Sequence, residues 1–143
     1  MPTGSAANCD DWLRIAREQK DAYTKLADDD PTKYKYSIGL LTWQCSENSL
    51  KALSAGHAPP HSHDLDKIMS HLRDNNILTT PEVIELGPYA SIVTGSRQYD
   101  DNKYPEKDPL YWEHLSKTSL IDICQNATNI LNFCHNKINL PSH

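Results

Sequence analysis

The side chains best placed to do chemistry are Gln44, Glu47 and Lys51. Their spacings of three and four put them on one face of a helix, and Glu47 followed by Lys51 is the favourable i,i+4 ion-pair order. On a surface such a pair adds a few tenths of a kcal/mol. Trp43 and Leu50 border this face, so it is expected to be half buried. A structural and a functional use are both open. Arg97 and Tyr99 share a polar stretch. A loop-borne Arg beside Tyr can hold an anion or a stacking ligand, although simple solvation is the more ordinary reading. His57, His61 and His63 lie close together, with His71 further on. His-x-His can bind zinc or copper. No cysteine is near in sequence, there is no H-E-x-x-H, and Pro59 and Pro60 would splay the imidazoles. Solvated loop histidines are therefore expected, with no metal and no cofactor. The chain has no G-x-S-x-G, no G-x-x-x-x-G-K and no G-x-G-x-x-G. That removes the nucleophile elbow and both common phosphate loops.

The elements that would position these residues read as helices. Asn8 or Asp10 can cap a first helix reaching about Asp28, with Trp12, Ile15, Ala16, Gln19, Tyr23 and Leu26 on one face. Asp30-Pro31 is a cap followed by a proline suited to the first helical position. It opens a second helix running to about Gly56. Two apolar stripes mark that helix, Tyr34, Ile38, Leu41, Cys45 and Leu53, then Tyr36, Leu40, Trp43 and Leu50. So wide an apolar arc predicts a central position. Asp64 or Ser62 caps a short third helix through about Leu72, and Thr80-Pro81-Glu82 starts a fourth. Gly87-Pro88 is expected to break or kink the fourth. Residues 95–107 read as a long polar loop, and Asp108-Pro109 begins a last helix running to about Lys137.

Composition agrees. The 143 residues suit a single domain, with its core over about 10–138. Val occurs only at positions 83 and 93, and Gly numbers 5, so a large sheet or a turn-rich sandwich is disfavoured. The expected fold is all-α, an up-and-down bundle of four or five helices. A net charge of −5 argues against tight non-specific DNA binding. No apolar run is long enough for a membrane span. Neither a signal peptide nor a C-x-x-C pair is visible. Cys9, Cys45, Cys124 and Cys134 are read as reduced, mostly core-facing thiols in a cytoplasmic protein.

Several of these pieces look familiar together. Trp12, Ala16, Asp21 and Ala22 are followed by Leu41-Thr-Trp-Gln-Cys-Ser-Glu-Asn-Ser-Leu-Lys-Ala-Leu53. Gly56 then leads to Pro60-His-Ser-His-Asp-Leu65, and Arg97-Gln-Tyr99 comes later. This order resembles the HEPN domain (higher eukaryotes and prokaryotes nucleotide-binding) over nearly the whole chain. The resemblance implies a helical bundle, often a homodimer, working beside a minimal nucleotidyltransferase. It marks Gln44, Glu47, Lys51, His63, Asp64, Arg97 and Tyr99 as candidate pocket or fold-defining residues. The catalytic branch of that family cleaves RNA with an Arg and a His four to six residues later. No arginine here is followed by a histidine at that distance. The resemblance thus points to the non-catalytic branch, a nucleotide- or partner-binding module rather than an enzyme. The alternative is a ribonuclease toxin of a toxin–antitoxin pair with a non-standard active site.

Overall fold

A computed structural model describes residues 8–54, 62–94 and 116–139, and among these it contains five α-helices and no strand. They are α1 (Cys9–Asp29), α2 (Lys35–Leu53), α3 (Leu65–Asp74), α4 (Thr80–Thr94) and α5 (Lys117–Asn139). The chain is an all-α helical bundle, and no helix among the described residues is long and apolar enough to cross a membrane.

The helix starts follow local chemistry. Asn8 accepts from the Asp11 N–H at 2.9 Å, and Asp11 accepts from the Asn8 N–H at 3.2 Å, a reciprocal cap. Thr79 and Glu82 do the same for α4, at 2.9 and 3.2 Å. Asp64 accepts from the N–H groups of Asp66 and Lys67 and starts α3. Ser116 accepts from the Ser119 N–H and starts α5. The expected start at Asp108-Pro109 lies outside the described residues. The end of α3 has an unforeseen device. Asn76 adopts φ 60°, which lets Asn76 donate to Arg73 O at 3.0 Å and Ile77 to Leu72 O at 2.8 Å. This is the Schellman arrangement, with Asn in the left-handed position usually given to Gly.

Three expectations change. Asp30 does not begin α2 directly. It closes α1 by donating to Leu26 O, then accepts from the Lys33 N–H, so residues 31–34 form turns before the helix starts at Lys35. Extended backbone at Asp30 (φ −160°, ψ 94°) suits a residue preceding proline. Second, α4 runs on through Gly87-Pro88. The missing Pro88 N–H deprives the Ile84 carbonyl, but both residues are on the exposed side, where water is available. Leu86, Ala90 and Val93 on the opposite side are buried and hold the helix together. Third, Ile15 is 41% exposed and Tyr36 37%, whereas Leu13 is buried at 1%.

One hydrophobic cluster draws on all five helices. The three long helices α1, α2 and α5 pack pairwise, and α2 also touches α3 and α4, which makes it the central element. Its buried hydroxyls are satisfied within the helix. Thr42 donates to Ile38 O, Ser46 to Thr42 O and Ser49 to Cys45 O, each near 2.8 Å. These back-bonds let small hydroxyls sit in a dry interface without unpaired donors. The Cys45 thiol donates to Ala16 O, and burial pushes it up to about 12. Burial likewise raises Cys134 and Cys124, so all three behave as packing groups rather than nucleophiles.

Candidate functional site

Glu47 is the centre of the site. It projects from the buried middle of α2, and its side chain is only 9% exposed. A carboxylate there must be paired, since desolvating it alone costs several kcal/mol. Lys51, one turn on, donates to Glu47 Oε2 at 2.7 Å and is itself 11% exposed. His63 Nδ1 stands 2.9 Å from Oε1 and 3.1 Å from Oε2. An ionised carboxylate can only accept, so His63 donates through Nδ1.

His63 reaches Glu47 because its backbone is tied down. The Trp43 indole N–H donates to the His63 carbonyl at 2.7 Å. Trp43 and Glu47 lie four residues apart on α2, so one face holds the backbone of residue 63 and its ring at once. Asp64 next in line caps α3 and fixes the segment from the other side.

A cavity of about 170 Å³ opens beside this pair, lined by Gln19, Gln44, Glu47, Asn48 and His63. The Asn48 amide donates to Gln19 Oε1 at 2.9 Å, joining α1 to α2 across the floor. The Gln19 amide and the Asn48 carbonyl keep further capacity. Among the described residues the half-buried Gln44 carboxamide makes no hydrogen bond. The cavity therefore presents donors and acceptors in quantity, with its one charge already balanced.

The structure thus brings Gln44, Glu47 and His63 together, and Lys51 through Glu47. Lys51 does not line the cavity, because its ammonium is committed to the carboxylate. Trp43 anchors the His63 segment. Asp64 is exposed, and its carboxylate serves two backbone N–H groups. Arg97 and Tyr99 lie outside the described residues, as do His57 and His61. Sequence reasoning did not name Gln19 and Asn48 as cavity residues. A signal existed: Gln19 is a carboxamide on the inward stripe of α1, and Asn48 is one turn beyond Gln44.

Compared with known protein families, curated proteins and solved structures, the chain shows no match.

Proposed function

We propose that the protein is a non-catalytic HEPN-like binding module whose cavity between α1 and α2 takes the base of a nucleotide, in a homodimer serving a minimal nucleotidyltransferase. The observation that carries the reading is the convergence of Gln19, Gln44 and Asn48 on one cavity beside the His63–Glu47 pair. A carboxamide offers a donor and an acceptor side by side, which matches the edge of a nucleobase. A cavity of about 150 Å³ holds one benzene ring, so 170 Å³ suits a single heteroaromatic ring with ribose and phosphates outside. Arg97, carried from the resemblance, would meet phosphate through its planar fork.

Calorimetric titration of UTP tests this, with ATP, whose base has two fused rings, as the comparison. Wild type should give heat. Arg97→Glu should abolish it, and Gln44→Leu should weaken affinity about tenfold, the loss expected for one or two hydrogen bonds. Absence of heat for wild type overturns the nucleotide reading and leaves docking to the nucleotidyltransferase.

One observation favours the ribonuclease alternative. An imidazole oriented by a carboxylate at 2.9 Å is the arrangement of a general base. Cleavage of single-stranded RNA that co-purifies with the protein and is lost in His63→Ala would establish it.

A further inference from the structure

A second concavity, about 380 Å³, runs between α4 and α5. Tyr89 and Phe133 form its half-buried apolar floor. Asn129, Asn132 and Asn136 stand along one stripe of α5. Across from them Glu82 is bound to Lys137 at 2.8 and 3.1 Å, while Glu85 has no cation partner among the described residues.

From this we infer that the groove is a docking surface for an extended, basic segment of a partner polypeptide. The spacing supports it. Asn132 and Asn136 are four residues apart, about 6 Å along the helix axis. An extended chain repeats its same-side peptide groups every two residues, about 6.6–6.8 Å. Each carboxamide can give and accept one bond, as the C=O and N–H of one extended residue require. Neither Asn132 nor Asn136 has a hydrogen-bond partner among the described residues, and both are exposed. Asn129 accepts from Gln125 at 3.0 Å, which orients its amide donors.

Charge selects the side chains. Glu82 is neutralised by Lys137, so the groove keeps the single negative charge of Glu85. Glu85 and Tyr89 are one turn apart on α4, so a partner Lys or Arg would lay its stem on the ring and its head at the carboxylate. The chain's net charge of −5 adds long-range attraction. The same charges repel the phosphates of a nucleic-acid strand. This site is independent of the α1–α2 cavity.

The test uses the full chain and a fluorescein-labelled octapeptide alternating Ala with Lys or Arg, read by anisotropy. Its arms are an acidic counterpart, a basic peptide N-methylated at every second residue, and an octamer of uridine. The basic octapeptide should bind. Asn132→Ala/Asn136→Ala, N-methylation and Glu85→Lys should each weaken it about tenfold, with circular dichroism unchanged. The inference falls if the basic octapeptide fails to bind at about 1 mM, or if N-methylation or the double Asn variant has no effect. It falls also if the acidic peptide or the oligouridine binds as well at this groove.

Discussion

The α1–α2 cavity and the α4–α5 groove both carry carboxamides and an acidic side chain, yet they are built on opposite terms. Beside the cavity one buried ion pair, Glu47 with Lys51, is matched in advance, and the exposed His63 ring bonds the same carboxylate. In the groove the one ion pair, Lys137 with Glu82, has side chains 30% and 23% exposed. Its carboxamides at Asn132 and Asn136 point to no described partner. The contrast separates two uses of polarity. Polar groups that complete one another inside a bundle specify where segments go, whereas polar groups at the rim remain available to something outside. Substitutions should therefore unfold the first region and leave the second folded.

The largest effect should come from Glu47→Ala. It strands a buried ammonium and releases the His63 ring, and should destabilise the protein by about 3–5 kcal/mol. Urea unfolding measures it. Replacing both Glu47 and Lys51 by Leu should cost less than Glu47→Ala, because no unpaired charge stays buried. A double variant no more stable than the single one would show that the pair is a net stabiliser rather than a positioning device.

Trp43→Phe should have an intermediate effect. It keeps most of the apolar contact but deletes the indole donor to His63 O. A loss of about 1–2 kcal/mol is expected from the unsatisfied carbonyl. Hydrogen exchange should show faster opening around residues 62–66 than in α5. Uniform acceleration would mean that this bond does not position the segment.

The smallest effect belongs to the groove. Burial raises the Glu82 carboxyl, but the Lys137 ammonium and the Thr79 N–H outweigh it and hold it below its ordinary 4.5. The folded state thus binds the proton less readily than the unfolded chain. The stabilisation is present above about pH 4.5 and is lost as pH falls through the lower folded value. Glu82→Gln should remove it, costing up to about 1 kcal/mol at neutral pH and converging with wild type in acid. A constant difference across pH would mean that the ion pair does not carry the effect, since Gln keeps an acceptor for the Thr79 N–H.

Much of the bundle was legible in the chain because the signals are local. Asn8 and Asp64, each one of two candidates the sequence offered, cap their helices, since an N-cap needs only N–H groups two or three residues away. The apolar arc of α2 announced its central place for a similar reason: burial on several sides requires apolar residues on several sides. The i,i+4 pairing of Glu47 with Lys51 was also readable, because helix geometry alone brings the two together. Where local signals competed with packing, packing won. Gly87-Pro88 reads as a breaker, but the buried row of Leu86, Ala90 and Val93 outweighs one lost backbone bond on the exposed side.

What only the tertiary structure decided is the set of contacts between distant parts of the chain. His63 meets Glu47 across 16 residues, Asn48 meets Gln19 across 29, and Lys137 meets Glu82 across 55. No periodicity encodes such a meeting, because each depends on the rotation and offset of two helices, which the whole core sets together. Lys51 shows the consequence. Its sequence position suited a structural or a functional use, and in the folded chain it pairs with the buried Glu47 at 2.7 Å. In a dry interior the nearest opposite charge claims the ammonium.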